Sequence, residues 1–313
     1  MNKADYKYVE FTVQETSGDF SGRLMILESG LVDMPEKITG SPLRSTWIYN
    51  SPKMDEDRRP MGDFIGDFYM DFDSGDLSTA RTDVCMVLDL LERTYRIDLN
   101  VLQMGFSGKK GFWLIIPYEV IFGDVIVSGD DLIFLYRGFG EFLRPNAPTL
   151  DLAIYGRRRM WKLTNSVHPG SGLFRVELRP DELRIMDIEK IKELAKNPRS
   201  LPRGPVRHSI LLRNQIQMIG EQRIKVILRK EYKEGKDFKE ATPEERIPRR
   251  FRRTYSPPGR NPAICELVGV LQRAGVSYDD CCQIVLAFNR VYCSPSKSED
   301  EALQPVEYYY NKK

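Results

Sequence analysis

Asp71 and Asp73 are the first residues of this 313-residue chain whose type and spacing imply chemistry. They lie in Gly66-Asp-Phe-Tyr-Met-Asp-Phe-Asp-Ser74, where apolar and polar side chains alternate strictly. As a strand, this segment points Phe68, Met70 and Phe72 one way and Tyr69, Asp71 and Asp73 the other. Two carboxylates side by side repel unless a cation or a proton sits between them. Hard divalent cations take carboxylate oxygens and keep positions open for phosphates. One reading is therefore a metal site for phosphoryl transfer. The other is a strand running into an acidic, solvated turn at 74–76, and a D-x-D tripeptide alone does not separate the two.

A second signal is the loop Phe106-Ser-Gly-Lys-Lys-Gly111. Its glycines let backbone amides approach a ligand, and Lys109 and Lys110 add charge, a combination suited to a triphosphate. The Walker spacing is absent, and a hairpin turn with exposed lysines is the alternative. A third signal follows Asp151: Arg157-Arg-Arg-Met-Trp-Lys162-Leu-Thr-Asn-Ser166-Val-His-Pro-Gly170. His168 is one of only two histidines in the chain. It sits in a polar, glycine-bounded loop, suited to a phosphate oxygen or a sugar hydroxyl. His208 opens an amphipathic segment and reads as a surface or capping residue. Farther on, Arg249-Arg-Phe-Arg-Arg253 and Tyr255 place aromatics among arginines. Such a run can track a phosphate backbone and stack a base, or serve as a solubilising hinge.

These residues need elements to position them. The pattern predicts strands at 8–13, 24–27 and 44–49, then the 66–74 strand. A helix follows through about 95, capped by Ser78 or Thr79, with Val84, Val87, Leu88 and Leu91 on its apolar face. Cys85 reads as a small packed side chain within it. Further strands are expected at 99–104, 112–116, 150–155 and 174–178, and helices at 131–143 and 181–195. Residues 236–260 are charged and broken by Pro243, Pro248, Pro257 and Pro258, which reads as a basic linker. Two helices are expected at 263–274 and 277–291, forming a small domain over 261–293, before a polar tail at 294–313 with no order of its own.

Composition sets the outer bounds. Lys plus Arg number 47 against 45 Asp plus Glu, so nucleic-acid affinity must come from local patches. Five cysteines without a signal-peptide pattern point to reduced thiols and a cytoplasmic protein. Cys265, Cys281, Cys282 and Cys293 match no C-x₂-C zinc spacing, so buried thiols and no structural zinc are expected. No apolar run is long enough to span a bilayer.

Taken in order, the pieces resemble the archaeo-eukaryotic primase superfamily. The family's D-x-D strand corresponds to Asp71 and Asp73. Its S-G-x-[RK]-G-x-H loop corresponds to Ser107 through Trp113. Its third aspartate and S-x-H-x-x-[ST]-G motif correspond to Asp151, then Ser166, His168, Ser171 and Gly172. The resemblance covers about 40–180 and implies an α+β fold: a primase/RRM-like catalytic core over 1–235 with a small C-terminal helical domain. It implies two Mg²⁺ or Mn²⁺ ions on Asp71, Asp73 and Asp151. It implies nucleotide contacts from Ser107, Gly108, Lys109, Lys110, Arg159, Lys162, Ser166 and His168. Arg44, Arg157, Arg158, Arg249, Arg250, Phe251, Arg252 and Arg253 are the candidates for nucleic-acid contact. The implied activity is template-directed nucleotidyl transfer, as a primase, a DNA polymerase or both. The implied partners are nucleoside triphosphates, a single-stranded template, a primer and a replicative helicase, in a nucleoid or mobile-element setting.

Trp113 departs from the pattern, because the family carries histidine there. An indole offers one N–H donor and no charged state. It is expected to line the nucleotide site, with a core position as the alternative. Two rival functions stay open: a catalytically weak or inactive nucleic-acid-binding initiator on the same fold, and a metal-dependent nuclease.

Overall fold

The computed structural model describes residues 2–15, 19–31, 40–233, 242–248 and 251–311. It is a mixed α+β fold with a C-terminal helical region. The chain divides into two compact units, Met1–Gln217 and Met218–Lys313. None of the described helices is long and apolar enough to cross a membrane.

Among the described residues, the first unit carries two sheets. One is built from β1 (Tyr8–Gln14), β2 (Leu24–Leu27), β3 (Ser41–Ser45), β4 (Ile48–Tyr49), β5 (Phe64–Ile65) and β9 (Met160–Lys162). Its order is β5-β4-β1-β3-β9, with β2 also paired to β1. The other runs β10-β7-β8-β6, from β6 (Phe68–Asp73), β7 (Gln103–Phe106), β8 (Gly111–Ile116) and β10 (Val176–Glu177). Its register explains the 66–74 pattern. Met70 pairs with Leu114 and Phe72 with Phe112, and β7 sets Met104 and Phe106 beside those partners. The resulting apolar face packs under α1 (Leu77–Arg93) and, beyond the short α2 (Tyr118–Phe122) in the chain, α3 (Gly129–Leu143). The opposite face carries a second set of rows: Tyr69 beside Ile115, Asp71 beside Trp113, and Asp73 beside Gly111.

Several boundaries differ from the sequence expectation, each for a local reason. Asp76, not Ser78 or Thr79, caps α1; its carboxylate accepts from both of their amides. Residues 99–101 form a 3-10 turn before β7, started by Asp98. Only Leu150 of 150–155 pairs with a strand, bridging Phe72. Asp151 then accepts from the Ala153 amide and opens a 3-10 turn at Leu152–Ile154. The expected helix at 181–195 is two, α4 (Pro180–Ile185) and α5 (Ile188–Leu194), because Met186 and Asp187 are extended between them. The strand at 174–178 shortens to β10, with Phe174 bridging Val167. A further helix, α6 (Ile210–Lys233), crosses the division between the units.

The second unit holds α7 (Arg260–Arg273), α8 (Tyr278–Tyr292) and α9 (Glu299–Asn311). Ser277 caps α8 as expected. The polar tail is corrected: it is α9, whose Ala302 and Val306 are buried with Leu267, Ile284 and Phe288. The linker expectation is corrected as well. Ile247 and Phe251 are buried in that same core, and Tyr255 packs on Phe288. Phe251 is therefore a core residue and not a base-stacking one. Arg252 donates back to the carbonyls of Ile247 and Glu245, and Arg253 stacks on Tyr255. Arg249 and Arg250 lie outside the described residues. Cys281 and Cys293 are buried free thiols, and Cys265 and Cys282 are free and half-buried.

The tail's role in this core is directly checkable. Val306→Asp puts an unpaired carboxylate among those side chains and should lower the unit's unfolding free energy by about 3 kcal/mol or more. Glu299→Ala, at an exposed position of the same helix, should shift it by less than about 0.5 kcal/mol. Denaturant titration of both variants reads the difference, and equal effects would remove α9 from the core.

Candidate functional site

All three motifs meet in the first unit. A cleft of about 410 Å³ is lined by Asp71 and Asp73 from the first motif and by Ser107 and Lys110 from the second. Arg158, Arg159, Lys162 and His168 reach it from the third. The strands that bring them together are β6, β8 and β9, and the two glycine loops close the end.

The backbone places the carboxylates. The Asp151 amide donates to the Asp71 carbonyl at 2.9 Å, and the Asp73 amide donates to the Thr149 carbonyl at 3.1 Å. The 149–151 segment thus runs beside the end of β6. Gly111 faces Asp73 across the β6/β8 ladder. A Cβ there would fall 2.4 Å from Asp73 Oδ1 and 2.3 Å from the Phe72 carbonyl oxygen, so no larger residue fits. Asp73 accepts from Lys110 Nζ at 2.7 Å, and Asp151 from Arg159 Nη2 at 3.0 Å. Asp71 Oδ1 is buried and has no hydrogen-bond partner. Burial is the main reason its pKa is pushed up to about 6; Arg175 opposes the rise, and Asp73 and Asp151 add to it.

The donor set is all carboxylate oxygen, which suits a hard divalent cation. An orphaned buried carboxylate oxygen beside two further aspartates is consistent with that choice. Among the described residues, however, no three His, Cys, Asp or Glu side chains converge as a metal-holding group. Asp73 and Asp151 are turned instead to their basic partners.

The Ser107–Gly111 loop is closed by Ser107, whose amide donates to the Gly111 carbonyl and whose Oγ accepts from the Gly111 amide. Gly108 has φ +93°, and a Cβ there would lie 3.1 Å from the His168 Cβ, so a glycine is what lets the two loops touch. The Ser171 hydroxyl donates to the Gly108 carbonyl at 2.6 Å, tying them together. Lys109 reaches over Gly170 and away from the cleft lining. His168 Nδ1 accepts from the Gly170 amide at 3.1 Å. That bond assigns the proton to Nε2 in the neutral ring. Burial, then Lys162 and Lys109, hold the His168 pKa below its ordinary value, so the neutral form prevails at pH 7. Burial and Arg175 likewise lower the pKa of Lys162.

Other expected site residues sit elsewhere. The Ser166 hydroxyl donates to the Leu163 carbonyl, and its own carbonyl accepts from Arg175; it holds the hairpin and does not line the cleft. Arg44 is ion-paired to Glu28 at 2.7 Å, with its side chain mostly buried. Arg157 forms a two-point ion pair with Asp130. Trp113 corrects the expectation of a ring in the site. It is 0% exposed, donates from Nε1 to the Phe106 carbonyl and lies edge-on to Trp161 of β9.

The residue that sequence reasoning missed is Arg175. It lines the cleft floor beside Asp71 and is 4% exposed. Its guanidinium lies 4.6 Å from the Trp113 ring and 4.2 Å from the Trp161 ring. Its Nε and Nη2 have no hydrogen-bond partner. Burial lowers its pKa to about 10 against the pull of Asp71, so it stays charged at neutral pH. The available signal was alternation: Arg175 and Glu177 share one face of a strand whose other face is Phe174, Val176 and Leu178. Phe20 and Arg23 also line the cleft, and Arg23 is held there by buried Glu10 at 2.9 Å.

Two outcomes follow. Trp113→Ala should cost about 3–5 kcal/mol of unfolding free energy, as a buried indole lost from a core does; a near-zero loss in a denaturant titration would return the ring to the site. Asp71 gives a pH signature. Its folded pKa of about 6 lies above the ordinary carboxylate value of about 4, so the folded state binds the extra proton between them. Its contribution is then most favourable below about 4 and is lost as pH rises through 6. Asp71→Asn should therefore stabilise the protein by roughly 1–3 kcal/mol at pH 8 and by little at pH 4. Thermal melts across that range measure the difference, and a gain that does not depend on pH would sink the assignment.

Neither the protein-family models nor the curated proteins offer this chain a match, so the functional reading stands on the cleft's geometry and on the order of its motifs.

Proposed function

We propose that the first unit is a template-directed nucleotidyltransferase of the primase–polymerase kind, on a primase/RRM-like core. One observation carries the reading. Three motifs, about 100 residues apart from first to last, supply side chains to a single cleft in the combination that transfer from a triphosphate needs. The carboxylates of Asp71 and Asp73 share the cleft with Lys110, Lys162, Arg158, Arg159 and the neutral imidazole of His168.

Asp71, Asp73 and Asp151 are the residues that would hold Mg²⁺ or Mn²⁺. Bound there, such a cation would supply activation of a 3′-hydroxyl and would offset charge on the α-phosphate. The chain's own groups do the rest. Lys110, Arg159 and Lys162 meet the phosphates. His168 Nε2–H donates to a phosphate oxygen or a sugar hydroxyl without adding charge. Trp161, Leu43 and Ile154 give the cleft an apolar wall that excludes water and strengthens those contacts. Arg23 and Arg158, at the cleft, are the nearest candidates for contact with a template backbone, read without regard to sequence. A primer and a replicative helicase as partners rest on the family resemblance alone.

A second reading has an observation of its own. Each carboxylate already stands near a basic side chain, which suits a nucleotide- or nucleic-acid-binding initiator that does no chemistry. Incorporation of labelled nucleotides on a single-stranded template, with and without a primer and with Mg²⁺ or Mn²⁺, separates the two. Wild-type incorporation that falls by about a hundredfold or more in Asp71→Ala and in Asp73→Ala is the expected result. Binding without incorporation would favour the initiator. Template cleavage without added nucleotides would favour a nuclease.

A further inference from the structure

The basic partners of the three carboxylates are of two kinds. Lys110 and Arg159 contact Asp73 and Asp151 at 2.7 and 3.0 Å, and their side chains are 61% and 44% exposed. Ion pairs this open to water are held weakly and exchange readily. Arg175 is different: it is buried, and two indoles fix it in place. Lys110 and Arg159 also line the same cleft as Lys162 and His168, so a polyanion entering it meets them directly.

We propose that Lys110 and Arg159 are exchange partners, which release Asp73 and Asp151 to a divalent cation when they take up the phosphate oxygens of a polyphosphate ligand. The identity of the polyanion rests on the nucleotidyl-transfer reading. The charges account for the exchange. Asp71, Asp73 and Asp151 contribute three negative charges, and Lys110, Arg159 and Arg175 contribute three positive ones, so the group is neutral as it stands. A divalent cation binding alone must displace a lysine or an arginine from its carboxylate. A polyphosphate binding alone must draw the same side chains away from two carboxylates. When both bind, each removes the other's competitor, and the reciprocity of linkage requires that each tighten the other. Arg175 does not exchange. It keeps one positive charge beside Asp71 throughout, and that charge leaves the cation dependent on the polyphosphate's negative charge.

The exchange makes a prediction of opposite signs from one substitution. Removing a basic side chain removes a competitor of the cation and a ligand of the phosphate at once. With the full chain, Mn²⁺ binding is measured alone by calorimetry. Binding of an α,β-imido deoxynucleoside triphosphate is measured separately in EDTA. In both Lys110→Gln and Arg159→Gln, the Kd for Mn²⁺ should fall about threefold to tenfold, and the Kd for the triphosphate should rise by a similar factor. Lys110→Arg should leave both near the wild-type values. The two substitutions lie on different segments, and melts show that each variant is folded. Weaker triphosphate binding with Mn²⁺ binding unchanged or weaker would overturn the exchange and leave these residues as phosphate ligands only. No change in either would overturn it too. A wild-type protein that binds no triphosphate, with or without Mn²⁺, would defeat the nucleotidyl-transfer reading first and the exchange with it.

Discussion

The cleft depends on a guanidinium buried between two tryptophans. Arg175 takes its position from the hairpin that also carries His168: its amide donates to the Ser166 carbonyl, and its carbonyl accepts from the Asn165 amide. Leaving a charge in a protein interior costs several kcal/mol. A desolvated cation–π contact returns about 2 kcal/mol, so Trp113 and Trp161 together offset only part of that cost. The remainder falls to Asp71, whose charge is the largest favourable influence on Arg175. The converse also holds, since Arg175 is the strongest influence opposing the rise in the Asp71 pKa. Each charge lowers the cost of burying the other without cancelling it, since the Asp71 pKa is still raised and that of Arg175 still lowered. The pair therefore fixes where the second sheet must meet β9, because Trp161 supplies one of the two rings.

The periodic parts of this architecture were legible in the sequence. Strict alternation at 66–74 identified β6 and both of its faces, and the leucine and valine spacing identified α1. What alternation does not carry is which groups compete for a backbone amide. Asp76, Asp98 and Asp151 each bond an amide two residues ahead, and each redraws the start of an element. The polar tail was misread for a related reason. Its apolar content is sparse, but Ala302 and Val306 lie four residues apart on one helical face. That is enough to seal a small core that the other two helices leave open.

The candidate site divides along a similar line. Motif spacing identified side chains that line the cleft from strand ends and loops, namely Asp73, Lys110, Arg159, Lys162 and His168. Spacing says nothing of pairing between distant segments, so it could not distinguish residues in the cleft from residues that hold it together. Ser166, Gly108 and Ser171 serve the second purpose. Ser166 holds its own hairpin, the bond from the Ser171 hydroxyl to the Gly108 carbonyl docks the two glycine loops against each other, and that docking brings Lys110 and His168 to one opening. Arg44, Arg157 and Phe251 looked like nucleic-acid contacts because of charge or ring type. Glu28, Asp130 and the helical core satisfy them instead.

Trp113 and Arg175 are best understood as a single feature. In the family that the motifs resemble, position 113 would be a histidine serving the triphosphate. A histidine here would stand in the same row as Asp71, over Gly105, where a Cβ would lie 2.9 Å from the indole. An imidazole is too small to fill that space and also cover the guanidinium. Arg175 would lose one of its two aromatic faces while keeping its unpartnered Nε and Nη2. The indole at 113 is thus a buried platform for the guanidinium. The platform holds a permanent positive charge beside Asp71, where an imidazole offers one only when protonated. On the opposite loop, the Gly170 amide fixes Nδ1 of His168 as an acceptor and leaves Nε2–H free to donate.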